Sequence, residues 1–223
     1  MLNLLYQIAS EIVLVCIYPI TSISMQFVPQ NELSGHGDGK TIVIVERWLS
    51  INFMHLYWKY YLEKKGFRVY LINFPLWYKD FNNSAERLSK YLIRHNLSNI
   101  TIVGISSGAL TSLLYLQEHN GWERVNRLIS VGTPFKGTWS ALFLFFLFSG
   151  RELLPNSPFM QKVASFNIYN RDRIICIRAK FDEMVPTGSI LPGAKRITIK
   201  AFGHNNLHIR VRQTYRKIIE FVE

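Results

Sequence analysis

Ser106 stands in Gly104-Ile105-Ser106-Ser107-Gly108, a Gly-x-Ser-x-Gly pattern that follows a β-branched apolar run and precedes an amphipathic one. A serine on so tight a strand-to-helix turn presents its hydroxyl clear of the backbone, and flanking glycines keep neighbouring side chains out of the way. Composition alone produces such a pattern in about one chain in ten of this length, so the strand before it and the helix after it are what make it informative. A serine hydroxyl is a weak nucleophile until a base takes its proton, and the base needs a carboxylate to orient it. Asp182, in Phe181-Asp182-Glu183-Met184-Val185-Pro186, and His204, in Phe202-Gly203-His204, supply those residue types in the order Ser, Asp, His, each just past a strand-like run. Taken singly, Asp182 reads as a turn residue and His204 as a capping or surface histidine. Behind a correctly placed elbow the two read as the rest of a triad with Ser106.

Other candidates carry less. His208 lies one helical turn beyond His204, a spacing that metal-binding helices use, but no third ligand accompanies it and no metal site is assigned. His36, His55, His95, His119 and His208 have no motif around them and read as surface or loop residues. The glycines of residues 35–39 resemble a phosphate loop but precede a strand instead of following one, which makes them a flexible linker.

The elements that must position Ser106, Asp182 and His204 alternate regularly from Thr41 onward. Short β-branched runs at 41–45, 67–72, 99–103, 125–131, 173–179 and 195–200 read as strands, and amphipathic stretches at 53–65, 84–96, 109–119 and 206–221 as helices. Gly66 and Gly121 fall where helices tend to stop. The strands are continuous apolar runs, as expected when helices cover both faces of a parallel sheet. The implied fold class is α/β, with about six parallel strands.

Composition bounds the rest. The 223-residue chain is 48% hydrophobic and 18% charged, which suits one packed core and excludes a disordered chain. All 26 Lys and Arg lie from Lys40 onward while Glu11, Glu32 and Asp38 precede it, so the chain's net charge of +11 understates how basic the globular part, residues 40–223, is. No zinc finger, aromatic RNA-binding signature or basic DNA-reading helix is present, so no nucleic-acid partner is assigned and anionic lipid fits the basic surface better. Cys16 and Cys176 make no disulfide framework. Residues 1–39 read as an apolar helix and linker. They lack the positive leader of a signal peptide, and Leu5, Ile8, Ile12 and Val15 recur at helical spacing, as for a helix lying on the domain or on a membrane surface. A cytoplasmic or membrane-associated protein is expected.

From Thr41 to the C-terminus the chain resembles the bacterial triacylglycerol lipases and esterases of the α/β-hydrolase superfamily. Beside the elbow, Thr133-Pro134-Phe135-Lys136-Gly137-Thr138 is similar to the Thr-Pro-His-x-Gly-Thr loop of that group. Asp182 to Pro186, then Leu191-Pro192-Gly193-Ala194 and Gly203-His204, resemble its acid and histidine loops in their usual succession. The resemblance implies hydrolysis of a carboxylic ester with a lipid-like acyl chain, without metal or cofactor. It also implies a short apolar lid-like segment at 138–160, where Phe143, Phe145 and Phe146 would meet substrate. Two departures stand out. Glu46-Arg47 replaces His-Gly after the first strand, where half of the oxyanion hole is built; Ser107 N–H supplies one donor, Trp48 N–H is the choice for the other, and Arg47 is expected at the mouth, offsetting Glu46. Phe135 replaces a histidine, which reads as a packing change. An acyltransferase would use the same acyl-enzyme with an alcohol in place of water, and a catalytically silent hydrolase fold serving as a binding protein is the reading that Glu46-Arg47 favours.

Overall fold

A computed structural model describes residues 2–25, 38–46, 52–74, 80–144, 148–186, 188–209 and 212–223. Strands β1 (Thr41–Val45), β2 (Arg68–Ile72), β3 (Ile100–Ile105), β4 (Val125–Val131), β5 (Ile174–Phe181) and β6 (Lys195–Phe202) form one sheet in the order β2-β1-β3-β4-β5-β6. Every neighbouring pair is parallel. All six lie where hydrophobic patterning puts them, but β3 runs two residues further than expected, and so do β5 and β6. Their last residues, Phe181 and Phe202, are register partners whose rings stack 4.5 Å apart, and Asp182 and Gly203-His204 follow directly. Strand order reverses direction between β1 and β3, and the crevice beyond the strand ends at such a point is where open α/β sheets bind ligands.

Alternation along each strand divides the core into two layers. Val43, Val45, Ile100, Ile102, Leu128 and Cys176 face helices α3 (Phe81–Arg94), α4 (Ser107–Glu118) and α6 (Pro158–Ser165), the last preceded by the short α5 (Phe148–Glu152). Ile42, Ile44, Val103, Ile129 and Ile177 face α2 (Asn52–Glu63), α7 (His204–Ile209) and α8 (Arg212–Val222), meeting Trp58, Leu207 and Tyr215. Helix ends follow local chemistry. Asp80 caps α3 by accepting the Asn83 N–H at 2.7 Å, and Asn96 and Asn120 take left-handed φ values of 48° and 52° after α3 and α4. The single helix expected over 206–221 is instead two, and the first begins at His204 itself.

The N-terminal segment is helical, as expected, over α1 (Leu2–Met25), and its apolar stripe is not the side that meets the domain. The inward stripe is polar: Ser10 and Glu11 are buried and Gln7 half-buried, against β6 and α7. Leu5, Ile12 and Val15 face outward, Ile12 being 60% exposed. The reason is that the domain offers α1 unsatisfied backbone N–H groups rather than an apolar groove, so polar residues win the inner face. Among the described residues no helix is long and apolar enough to cross a membrane.

Candidate active site

Ser106 is the turn between β3 and α4. Its backbone sits at φ 50° and ψ −121°, a strained region for a residue with a side chain. Its N–H still donates to Val131 O at 2.8 Å, so the strained residue stays tied to β4. The flanking glycines are explained by close approach. A Cβ on Gly104 would lie 2.4 Å from Ala109 Cα, and one on Gly108 would lie 2.2 Å from Val45 O. Helix α4 therefore leaves the sheet at once, and Ser107, its first residue, brings its backbone N–H to the positive end of the helix beside Ser106.

Asp182 and His204 converge on that serine from the ends of β5 and β6. His204 Nε2 lies 3.1 Å from Ser106 Oγ, while its Nδ1 lies 2.9 Å from Asp182 Oδ2 and 3.0 Å from Oδ1. Asp182 is 3% and His204 1% exposed, whereas Ser106 is partly open. Asp182 Oδ1 also accepts the N–H groups of Val185 (2.8 Å) and Met184 (3.1 Å). Burial pushes the Asp182 carboxyl up, but the His204 imidazole and those two N–H groups outweigh it and hold the group below its ordinary value. With Nδ1–H directed at Asp182, the Nε2 lone pair is free to take a proton from Ser106.

Helix α7 has only six residues and cannot stand on its own propensity. It is held at both ends by distant side chains. At its start, His204 N–H donates to Glu183 (3.1 Å to Oε2), Asn205 N–H to Glu11 Oε1 (2.8 Å) and Asn206 N–H to Glu11 Oε2 (2.7 Å). At its end, Leu207 O accepts from Thr214 Oγ1 (2.9 Å), His208 O from Trp58 Nε1 (2.5 Å) and Ile209 O from Tyr215 OH (2.9 Å).

Two histidines expected at the surface are fully buried. His208 presents its Nε2 3.2 Å from His204 Nε2, a consequence of the one-turn spacing on α7. Gly132 leaves room for both rings, since a Cβ there would lie 3.0 Å from His208 Cε1 and 3.2 Å from His204 Cε1. His55, on the inner side of α2, lies with its Nδ1 3.2 Å from Glu46 Oε1, both side chains being completely buried. Glu46, expected to be offset by Arg47, has His55 beside it, because α2 brings an imidazole over the end of β1. Arg47, Trp48, Phe145 and Phe146 lie outside the described residues.

The segment after β4 begins with a 3₁₀ turn, Trp139–Leu144, tied to the acid loop by Thr138 Oγ1 and Ser140 Oγ, which both donate to Met184 O (3.3 Å from Ser140). Phe143, expected to meet substrate, is 86% exposed, and Trp139 is 65% exposed beside it. Phe135 is buried in the α3–α4 layer, as a packing residue would be. Glu11, Glu183, Trp58 and Gly132 escaped the sequence reading. One signal was available: Glu11 is the only charged residue before Glu32, and a lone carboxylate in an uncharged helix demands a partner.

A parallel sheet with a strained serine after its third strand, an acid after its fifth and a histidine after its sixth is the α/β-hydrolase fold. No family model matches the chain, and no curated protein matches its sequence. Solved structures do. The mature form of a Bacillus licheniformis lipase is similar over 87% of this chain and 98% of its own, with a TM-score of 0.68 and 17% identity. A Paleococcus ferrophilus monoacylglycerol lipase is similar over 86% of this chain and 98% of its own (TM-score 0.66, 11% identity). A Bacillus anthracis bromoperoxidase is similar over 86% and 99% (TM-score 0.65, 16% identity). Neighbours of differing activity share this fold, so activity has to be argued from the site.

Proposed function

We propose that the chain is a serine hydrolase that cleaves carboxylic esters with apolar acyl chains through an acyl-enzyme on Ser106. The observation that carries this is the unbroken contact from Asp182 through both nitrogens of His204 to Ser106 Oγ, with Nε2 at 3.1 Å. In the first half-reaction Ser106 Oγ attacks the ester carbonyl as its proton passes to His204 Nε2. Negative charge collects on the carbonyl oxygen, where the Ser107 N–H is one donor and, in this reading, the Trp48 N–H the other. The proton on Nε2 then goes to the departing alcohol, leaving the acyl group on Oγ. In the second half-reaction water attacks that ester, gives its proton to the same nitrogen, and Oγ leaves with it as the acid is released. Asp182 holds the imidazole in the tautomer both halves need. The His55 ring 3.2 Å from the buried Glu46 supports this over a silent fold, because the Glu46 carboxyl has an imidazole for a neighbour at the end of β1.

The apolar acyl chain is inferred from Trp139, Leu142 and Phe143, exposed on a turn tied to the acid loop. Peripheral attachment to anionic lipid is inferred from the outward side of α1, with exposed Leu5, Tyr6, Ile12 and Val13, together with the net charge of +11. Phosphonate labelling read by intact mass tests the nucleophile: one adduct on the wild type and none on a folded Ser106→Ala protein. Nitrophenyl esters from acetyl to octanoyl test the chain, with kcat/KM expected to rise, each buried methylene adding up to about 0.8 kcal/mol. A preference for acetyl esters, with no salt-sensitive binding to anionic vesicles, would leave a small esterase that meets its substrate in water.

A further inference from the structure

Two carboxyl groups that the triad chemistry does not use close the start of α7. Glu11, 3% exposed on the polar side of α1, takes the N–H groups of Asn205 and Asn206 at 2.8 and 2.7 Å and the Asn205 side-chain amide at 2.8 Å. Glu183 takes the His204 N–H at 3.1 Å, and its carboxyl faces that of Glu11. Three successive backbone donors thus end on one carboxyl pair. Gly203 is the space the pair requires, since a Cβ there would lie 2.1 Å from Glu11 Oε2. The seam continues on either side: Gln7 Oε1 accepts the Phe202 N–H at 2.8 Å, and Ser10 Oγ donates to Asn206 Oδ1 at 2.8 Å. A buried carboxylate is costly unless its oxygens are satisfied. Here both oxygens of Glu11 are satisfied by the segment that carries His204.

We propose that the Glu11–Glu183 pair is a positioning device for His204, which makes α1 a working part of the active site although Glu11 stands 194 positions from Asn205. This rests on His204 being the general base of the proposed reaction. A rigid start to α7 fixes the imidazole between Ser106 and Asp182, and small displacements of a positioned base are expensive in rate. The pair is sensitive to a single proton. Burial pushes Glu183 up to about 7, the facing Glu11 adding to the rise, against the N–H groups of Glu183 and His204. The other titratable side chains around it are Asp182, turned toward His204 Nδ1, His204 itself, and His208 one turn on. For an acid raised from 4.5, the stabilisation is complete below that value and is lost as the pH climbs to about 7. Above it two carboxylates face each other and the start of α7 loosens.

Kinetics on nitrophenyl butanoate with the full chain test this. Glu183→Gln keeps an oxygen for the His204 N–H and offers an amide N–H to Glu11 at every pH. Its kcat divided by that of wild type is therefore expected to rise about threefold to tenfold between about pH 6 and about pH 8.5. Glu11→Ala is expected to lower kcat about tenfold or more while KM moves less than about twofold, with Glu11→Gln between it and wild type. A Glu183→Gln ratio that is flat with pH, or a Glu11→Ala protein with wild-type kcat, overturns the proposal. If Glu11→Ala does not fold, the Glu183→Gln ratio still decides. The two readings fail separately: a fully active Ser106→Ala removes the hydrolase reading, whereas an inactive Ser106→Ala beside a flat ratio removes only the positioning role.

Discussion

The serine and the histidine of the candidate triad are held in opposite ways. Around Ser106 the constraint is the backbone: a positive φ, a strand N–H bond to Val131, and two glycines whose Cβ positions are occupied by Ala109 and Val45. Around His204 the constraint is a set of side chains from α1, the acid loop, α2 and α8, without which a six-residue helix would not persist. A backbone constraint leaves a short local motif in the sequence. A side-chain constraint assembled from distant segments leaves almost none, although here it holds the histidine of the same candidate triad.

This contrast is open to direct tests. The largest effect is expected at the orienting carboxylate: Asp182→Asn should lower kcat by on the order of 10⁴, through a wrong imidazole tautomer, while the protein stays folded and melts somewhat earlier near neutral pH, where the depressed carboxyl had stabilised it. Full activity in that variant, beside a dead Glu183→Gln, would move the acid to the neighbouring position and dissolve the distinction between orienting and clamping groups. At the elbow, fold and activity should fall together, because the glycines serve packing. Gly108→Ala is expected to destabilise the domain by about 3 kcal/mol, read as a lowered melting temperature of about 2–4 °C per kcal/mol. On the histidine side the fold should outlast the activity. Trp58→Phe removes the donor to His208 O and should cost about 1–2 kcal/mol of stability while lowering kcat several-fold at unchanged KM. A Trp58→Phe protein that melts early yet turns over normally would show that the end of α7 is ordinary core. The smallest effect is expected from His208→Phe, which keeps a flat ring against Gly132 and should change kcat by less than about tenfold. A larger loss would make the second imidazole a participant in proton transfer.

The sheet was readable because each strand is a continuous apolar run between helices with buried stripes, and its alternation divides into the two layers that α3 with α4, and α2 with α8, cover. Ser106, Asp182 and His204 were readable from glycine spacing and from their positions just past strands. What failed follows one pattern. His55 and His208 were assigned to the surface because a histidine without a motif usually lies there, yet each is buried beside another ionisable side chain, Glu46 or His204. For helix α1 the choice between the domain and a membrane surface stayed open, because periodicity identifies a face without saying which way it points. The direction was set by N–H groups at the start of α7, and the one trace of them between residues 1 and 39 is the lone carboxyl of Glu11.

The outward apolar side of α1 has a practical consequence for anyone preparing the protein. A greasy leading helix invites removal to improve yield, and a trimmed chain would shed exposed leucine, isoleucine and valine while keeping its sheet. It would also lose Glu11, whose carboxyl takes the N–H groups of Asn205 and Asn206, and on the positioning proposal it would be a well-behaved sample of low turnover that a screen would discard as inactive. A mild detergent that coats the outer side leaves the inner stripe in contact with its partners, and is the gentler route to a sample whose activity reflects the whole molecule.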